Sequence, residues 1–354
     1  MTLQSIKVER ITVPLKQPFA TARRTAYTAD ILQIVVSDGE GRTGYGEAPN
    51  SAMVTGDTLA ATEEAILSYI WHSIKGRKIE DESDRKLINS AIQSAIHANN
   101  SAKAAIEMAL SDLCGQATNI NNSNITNNDI TISVGDLKTM TASALTAISD
   151  GFSVLKIKLG KSPETDAQRL VDLWRNIGNI NEGIRLRIDA NQGWTPKQAI
   201  EIIKEWENSE LADAIDLIEQ PVAYWDIEGL AEVHKHSPFT IAADESVFTP
   251  HDAARVIKAN AASVINIKLM KCGGLSVAEE ICELCRQNGL ECMIGCMLEG
   301  NISTAWAAYL AARQPVITRV DLDSPLLLKQ GYYIGGPTFG PVISFDDSMA
   351  RPAL

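Results

Sequence analysis

The feature that most constrains the fold is a series of short apolar segments, each followed by a helical pattern, from residue 131 onward. Eight segments have the character of strands: TISVG, VLKIKLG, RLRIDAN, IDLIEQP, TIAADES, VINIKLM, ECMIGCMLE and ITRVDLD. Strands that alternate with helices are typical of a parallel sheet built from βα units. Eight units predict an α/β fold closed as a TIM-type (β/α)7β barrel.

The first third of the chain follows a different pattern. Residues 3–47 predict a three-stranded antiparallel sheet with a turn at Asp38-Gly39, and three helical patterns follow at 58–74, 84–98 and 101–116. Strands followed by helices predict an α+β domain. The asparagine-rich stretch NINNSNITNND has little to bury and predicts a solvated linker.

These patterns predict three regions, namely an N-terminal α+β domain over 1–124, the barrel over 125–322 and a C-terminal segment over 323–354. Within the barrel, helix caps are predicted at Thr195 with Gln198, at Thr249, and at Ser276 with Glu279 in capping-box spacing.

Composition excludes some classes of function. A formal net charge of −12 opposes binding to nucleic acid or to an anionic membrane. No apolar run approaches the roughly 20 residues of a membrane span, and no signal-peptide pattern is present, so a cytoplasmic protein is expected. The four cysteines 282, 285, 292 and 296 could form a zinc or redox site, but apolar-face positions on a helix and a strand favour reduced core thiols.

Nearly every predicted strand ends in charged residues, where burial is expensive unless the charge is paired or metal-bound. These residues are Lys156, Lys158, Asp189, Glu219, Asp244, Lys268, Glu299, Asp321 and Asp323. From Lys158 to Glu299, successive members lie 24 to 31 residues apart, close to the roughly 31 residues of one βα unit in a 250-residue barrel. We therefore expect a charged ring at the C-terminal barrel mouth, where such barrels carry active sites.

Three acids of this ring, Asp189, Glu219 and Asp244, come from consecutive strands and would repel one another without a cation. Ligation by oxygen alone favours Mg²⁺ over zinc. The alternative is that each acid is a buried ion-pair partner of Lys158 or Lys268.

The same two lysines arrive from opposite sides of the ring, which suits a reaction that removes a proton on one face and returns it on the other. A lysine near Mg²⁺ and a second cation has a lowered pKa and can act as a base near neutral pH. Lys156 is expected to be an electrostatic helper.

The stretches LKIKLG, RIDANQGW, IEQP, ADES and INIKLMKCGG resemble the enolase superfamily and, within it, the muconate-lactonising subgroup. The resemblance covers most of the chain, including an N-terminal capping domain to which the C-terminal segment would return. It departs from the family at the asparagine-rich linker and near the C-terminus. It implies that Asp189, Glu219 and Asp244 bind the metal and that Lys158 and Lys268 are the paired acid/base catalysts.

A narrower resemblance is to the L-Ala-D/L-Glu epimerases. It implies that Asp321 and Asp323, in VDLDSP, bind the ammonium group of a dipeptide. It also implies that Arg24, in the loop PFATARRTAYTAD, holds the glutamate side chain, and that Met297 and Leu298, in GCMLEG, form pocket wall.

The implied activity is Mg²⁺-dependent epimerisation at the α-carbon of the C-terminal residue of L-Ala-L-Glu, in peptidoglycan peptide metabolism. Three alternatives stay open: a dipeptide with another second residue, a cycloisomerase or N-acylamino acid racemase on the same scaffold, and a non-catalytic barrel that binds a small anion or a protein. The expected partner is a small dipeptide rather than nucleic acid or membrane, and the oligomeric state, a homo-oligomer included, is open.

Overall fold

The computed structural model describes residues 1–21, 25–116, 125–180, 183–346 and 348–353, and it begins with the predicted antiparallel sheet. The strands are β1 (Leu3–Ala20), β2 (Thr25–Asp38) and β3 (Thr43–Pro49), in the order β1-β2-β3. The predicted turn is present, since Asp38 Oδ1 accepts hydrogen bonds from the backbone N–H groups of Glu40 and Arg42, each at 2.9 Å.

Helices pack on this sheet: α1 (Leu59–Glu64), a π-helical turn (Ala65–Ile70), α2 (Trp71–Ile74), α3 (Glu82–Ser94) and α4 (Asn100–Leu113). The π-helical turn interrupts what the sequence predicts as one helix over 58–74. Helix α4 is buried from Ser101 to Leu113 because it lies between β3 and the barrel. It therefore carries polar side chains into the contact between the two parts of the chain.

The remainder of the chain forms the predicted barrel, preceded by the short strand β4 (Ile125–Thr126). Eight parallel strands follow in sequential order: β5 (Ile130–Ile132), β6 (Val154–Lys158), β7 (Arg185–Asp189), β8 (Ile215–Glu219), β9 (Ile241–Ala243), β10 (Val264–Ile267), β11 (Glu291–Gly295) and β12 (Ile317–Asp321). An isolated parallel bridge between Asn128 and Val320 joins the two ends of this sheet. The predicted fold class is confirmed, and we call the contact of residues 128–131 with 320–323 the seam.

Helices surround the barrel: α5 (Leu137–Ser149), α6 (Pro163–Ile177), α7 (Pro196–Glu207), a 3-10 turn (Ala212–Ala214), α8 (Ile227–His236), α9 (Pro250–Lys258), α10 (Leu269–Cys272), α11 (Leu275–Asn288) and α12 (Asn301–Arg313). Thr195 caps its helix with Gln198 as predicted, and the predicted cap Thr249 forms a capping box with Asp252. The predicted cap at Ser276 is wrong, because α11 begins at Leu275 and the Ser276 N–H donates at 2.9 Å to Glu107 of α4. A carboxylate distant in sequence thus replaces the local cap.

The C-terminal segment contains α13 (Ser324–Leu327), β13 (Tyr333–Ile334), β14 (Val342–Ile343) and β15 (Arg351–Pro352). β14 pairs with β4, and Arg351 Nη2 donates to Asp112 Oδ1 of α4 at 2.9 Å. The segment therefore contacts both the start of the barrel and an N-terminal helix. The division at residues 124 and 322 stays a prediction.

The asparagine-rich stretch is only partly described, since residues 117–124 lie outside the described ranges. Its last residues contradict the prediction of a solvated linker: Asn128 and Asp129 are 1% and 0% exposed. Asn128 bonds to Leu322, 194 positions away, and Asp129 pairs with Arg187, 58 positions away, and local composition could not indicate these contacts.

The cysteines are free thiols, and Cys282, Cys285 and Cys292 are buried in α11 and β11 as predicted. Cys296 lies just beyond the end of β11 rather than within it. None of the helices in the described ranges is both long enough and apolar enough to cross a membrane.

Candidate active site

The ends of neighbouring barrel strands bring five predicted residues together. In the parallel ladders Lys158 lies opposite Asp189, and Asp189 lies opposite Glu219. Asp244 directly follows β9, and Lys268 directly follows β10. Because the carboxyl ends of all barrel strands point to one face, these side chains converge at that end.

The side chain of Gln220 joins the ends of two of these strands. Gln220 follows Glu219 and has a φ of 37°, a left-handed conformation that is costly for a residue other than glycine. Its Oε1 accepts hydrogen bonds from the N–H groups of Asp244, at 2.9 Å, and Ser246, at 3.1 Å. These bonds offset the strain and hold Glu219 and Asp244 at a defined separation.

Two glycines allow the loops after β6 and β7 to approach each other closely. A Cβ atom on Gly160, whose φ is 85°, would lie 1.9 Å from the carbonyl oxygen of Ala190, and one on Gly193 would lie 2.2 Å from the carbonyl oxygen of Gly160. No side chain fits at either position. The glycines of LKIKLG and RIDANQGW are thus required next to Lys158 and Asp189.

Each predicted catalytic lysine is paired with a predicted metal ligand. Lys158 Nζ lies 2.6 Å from Asp189 Oδ2, and Lys268 Nζ lies 2.7 Å from Asp244 Oδ2. The other oxygen of Asp244, Oδ1, lies 2.5 Å from Lys271 Nζ. For Asp189 and Asp244, the described side chains therefore adopt the ion pairs that were left open as the alternative to a metal site, whereas Glu219 pairs with Lys156 instead.

Lys156 lies beneath these pairs and is 1% exposed. Its Nζ lies 2.5 Å from Asp321 Oδ2, 2.7 Å from Glu219 Oε2 and 3.4 Å from Asp189 Oδ2. A buried ammonium group is tolerated only when it is paired in this way. Lys156 thus links acids from three strands and supplies positive charge under the site.

The neighbouring charged groups shift the pKa values of Asp244 and Glu219 in opposite directions. Burial favours the neutral form of Asp244, but Lys268 and Lys271 outweigh it and hold the pKa of Asp244 below its usual range. Burial and the neighbouring Asp189 raise the pKa of Glu219 to about 7. Burial opposes the charged form of Lys268, yet Asp244 and Glu219 raise its pKa above the usual value. The lowered lysine pKa expected from the sequence applies to a metal-bound site and stays a prediction.

A cavity of about 100 Å³ opens at this end of the barrel, and both Lys158 and Lys268 line it. Met297 and Leu298 also line it, as expected for pocket wall. Glu299, a member of the predicted ring, lies behind the wall, where its Oε1 accepts the Met297 N–H at 2.9 Å. The two lysines therefore share one cavity.

Asp321 and Asp323 line the same cavity and are each 4% exposed. Asp323 Oδ2 accepts the backbone N–H of Thr131 at 2.8 Å, and Asp321 is held by Lys156. Arg24 lies outside the described residues. The seam therefore brings both predicted ammonium-binding acids to the wall.

A group of close acids differs from the predicted metal ligands. In the described part of the chain, the three acids with an oxygen of each within 4.8 Å of one another are Asp129, Asp321 and Asp323. The predicted ligands Asp189, Glu219 and Asp244 nevertheless fit a hard cation, because they offer only oxygen. Within the part of the chain that the structure describes, the buried Glu219 Oε2 accepts no hydrogen bond, and its ionic contact is with Lys156. A cation bound by these three acids would replace the contacts that they now make with Lys156, Lys158 and Lys268.

Two buried residues of the site escaped sequence analysis. Glu245 lines the cavity beside Asp244, and its Oε2 accepts no hydrogen bond from any described residue. Lys271 is fully buried and donates to the carbonyl oxygens of Asp244, Val247, at 3.2 Å, and Asn266, at 3.0 Å. Glu245 could have been found because it adjoins Asp244 in ADES. Lys271 could not, since its sequence context does not differ from that of an exposed helix lysine.

Comparison with known proteins agrees with this geometry. Residues 5–124 match the family described as mandelate racemase / muconate lactonizing enzyme, N-terminal domain, and residues 139–340 match the family described as enolase C-terminal domain-like. Together these matches span most of the chain.

Individual relatives are similar over nearly their whole length. The chain is 41% identical to the L-Ala-D/L-Glu epimerase of Clostridium acetobutylicum, over 96% of this chain and 94% of that protein. It superposes with a TM-score of 0.91 on the substrate-liganded L-Ala-D/L-Glu epimerase of Bacillus subtilis, at 37% identity, covering 100% and 98% of the two chains. The TM-score is 0.89 with the Enterococcus faecalis dipeptide epimerase complexed with Mg and L-Leu-L-Tyr, at 35% identity, covering 99% and 98%. The protein belongs to the mandelate racemase / muconate lactonizing enzyme family of the enolase superfamily and, within it, to the dipeptide epimerases.

Proposed function

We propose that the protein is a Mg²⁺-dependent dipeptide epimerase that transfers a proton to and from the α-carbon of the C-terminal residue, interconverting L-Ala-L-Glu and L-Ala-D-Glu. The observation that carries this proposal is the position of Lys158 and Lys268 on one small cavity, with two further acids, Asp321 and Asp323, on its wall. The kinship with dipeptide epimerases supports the choice of reaction.

Lys158 and Lys268 would act as the acid/base pair. They come from the second and sixth of eight barrel strands, so they approach the cavity from different sides. A neutral amine on one side removes the α-proton, and an ammonium group on the other returns a proton to the opposite face of the planar carbon. Since the two roles exchange with the direction of reaction, either lysine serves as base for one enantiomer.

Asp189, Glu219 and Asp244 would hold the metal, and Lys156 would act as an electrostatic helper beneath them. Mg²⁺, when bound, supplies positive charge beside the substrate carboxylate and makes the α-proton more acidic. The lysines would then release these carboxylates and face the substrate, with Lys271 keeping Asp244 in place through Oδ1.

Asp321 and Asp323 would receive the α-ammonium group of the dipeptide through charge-assisted hydrogen bonds. Met297 and Leu298 would contact the substrate side chains. Arg24 would hold the side-chain carboxylate of glutamate, since a guanidinium fork matches carboxylate geometry.

Isotope exchange in D₂O tests this function directly. With Mg²⁺ present, the enzyme should incorporate deuterium at the glutamate α-carbon of L-Ala-L-Glu and form L-Ala-D-Glu. Absence of exchange with every acidic dipeptide would exclude the proposed substrate, and a dipeptide library screened by mass spectrometry would identify a replacement.

A second candidate is an epimerase for dipeptides with an apolar second residue. The cavity wall favours it, because Phe19, Met53, Val54 and Leu327 are apolar, and the Enterococcus faecalis relative was solved with L-Leu-L-Tyr. Under this alternative, Arg24→Ala would leave Ala-Glu turnover unchanged while apolar dipeptides react faster. Activity that survives Asp321→Asn and Asp323→Asn together would instead favour a cycloisomerase or N-acylamino acid racemase.

A further inference from the structure

The seam is closed mainly by side chains. Among the described residues, the other neighbouring barrel strands join through ladders of two or more residue pairs, whereas the first and last strands meet at one isolated bridge between Asn128 and Val320. Asp321 and Asp323 follow that bridge directly. The last strand pairs with β11 through a ladder that includes Asp321, so the backbone that carries these acids has ladder support on that side and a single bridge on the side of the seam.

Side-chain hydrogen bonds of Asn128 take the place of a backbone ladder between the first and last strands. Its Oδ1 accepts the Leu322 N–H at 2.9 Å, and its Nδ2 donates to the Leu322 carbonyl at 3.4 Å and to the Gly340 carbonyl at 3.1 Å. Leu322 lies between the two acids, so one amide group holds both polar backbone groups of the residue that separates them. Asn128 is 1% exposed, so removing its amide leaves the Leu322 backbone groups with little access to solvent.

The next residues of the same segment act on the acids themselves. The Thr131 N–H donates to Asp323 Oδ2 at 2.8 Å. Asp129 has a carboxylate oxygen within 4.8 Å of oxygens of Asp321 and Asp323, and Arg187 Nη1 holds it at 2.9 Å. Arg187 Nη1 also donates to the carbonyl of Val320 at 2.6 Å. Residues 128–131 thus contact both Asp321 and Asp323 or the backbone between them, and these contacts position the two acids.

We propose that Asn128 is a positioning residue that fixes Asp321 and Asp323 in the geometry that binds the substrate α-ammonium group. This inference rests on the proposed dipeptide substrate. Asn128 does not line the cavity, so it acts through the backbone of Leu322. Its loss disturbs recognition of the ammonium group, while Lys158 and Lys268, on other strands, keep their positions.

The test compares the wild type with Asn128→Ala, and with Asn208→Ala as a control for loss of an exposed asparagine whose Nδ2 donates to a helix carbonyl. The KM for L-Ala-L-Glu should rise about tenfold in Asn128→Ala, while kcat changes less than about threefold, since loss of ground-state binding alone raises KM. Propionyl-L-glutamate, which has the same skeleton without the ammonium group, should keep its inhibition constant within about twofold. Asn208→Ala should match the wild type.

An unchanged KM in a folded Asn128→Ala enzyme would overturn the inference, as would equal rises in KM and in the inhibition constant, because these indicate general damage to the barrel. If Asn128→Ala does not fold, Asn128→Ser, whose hydroxyl can retain a hydrogen bond to Leu322, is measured in the same way, and the same outcomes decide. A wild-type enzyme without α-proton exchange would refute the proposed function instead, and it is recognised before any variant is made.

Discussion

Lys268 and Asp244 form an ion pair of 2.7 Å at the mouth of the barrel, and Lys158 and Asp189 form its counterpart of 2.6 Å on another strand pair. In each pair, a group proposed to move protons contacts a group proposed to bind metal. The same carboxylates can therefore hold the lysines in place or a cation, and the two states are linked. Metal binding and lysine basicity are expected to change together.

Replacing either catalytic lysine should nearly abolish epimerisation but leave exchange of the α-proton of one enantiomer with solvent. We expect Lys158→Met and Lys268→Met each to lower kcat for epimerisation by about a thousandfold or more. Each variant should still exchange the α-proton of one enantiomer, and the enantiomer should differ between the variants. NMR in D₂O with L-Ala-L-Glu and L-Ala-D-Glu measures this, with the exposed Lys197→Met as control. Identical enantiomer preference in both variants would contradict the two-base assignment.

Magnesium should stabilise the folded protein, because a ligand that binds only the native state adds to its stability. A melting temperature measured with Mg²⁺ should exceed that in EDTA by a few degrees. Asp244→Asn should lose most of this rise, since it removes one charged ligand. If the metal-dependent shift persists in Asp244→Asn, Glu219→Gln and Asp189→Asn alike, the ion binds elsewhere.

Removal of Lys271 should destabilise the fold. This buried ammonium group lies 2.5 Å from Asp244 Oδ1 and donates to three backbone carbonyls. Lys271→Met leaves these acceptors unpaired, and a loss of about 3 to 5 kcal/mol in the free energy of unfolding is expected. Urea denaturation measures this loss, and Lys197→Met provides a matched exposed control. A loss below about 1 kcal/mol would show that the ion pair with Lys268 alone is sufficient to stabilise the buried charge of Asp244.

Glu107 should make stability depend on pH. Burial raises its pKa to about 7, and none of the described groups donates a hydrogen bond to its Oε2. Between the ordinary pKa of 4.5 and about 7 the folded state retains a proton that the unfolded state has released, so stability falls as pH rises through this window and levels off above it. The free energy of unfolding should fall by about 3 kcal/mol in total across this pH window.

Glu107→Gln removes this titration, so its stability relative to the wild type should improve from pH 5 to about pH 7 and then stay constant up to pH 8. Urea denaturation across this range measures the difference between the two proteins. Glu283→Gln, at an exposed helix position, is the control. Parallel pH curves for Glu107→Gln and the wild type would show that the buried carboxyl is charged throughout.

The sequence alone determined the barrel and the residues at its strand ends. Apolar strands alternating with helices, and charged residues recurring 24 to 31 positions apart, predicted eight parallel strands and one ring. Thr195 and Thr249 cap their helices as predicted because a capping box involves only neighbours. These features are local, and local chain geometry enforces them.

Only the tertiary structure decided which distant groups meet. It placed Glu107 at the start of α11 in place of the predicted Ser276 cap, and it buried Lys271 among carbonyls. It also turned Asn128, predicted to lie in a solvated linker, into the residue that closes the seam beside Asp321 and Asp323. The physical reason is that the energetic fate of a buried polar group depends on its partners. Local composition and periodicity do not indicate those partners, which lie 169 positions from Glu107, 194 positions from Asn128 and 27 positions from Lys271.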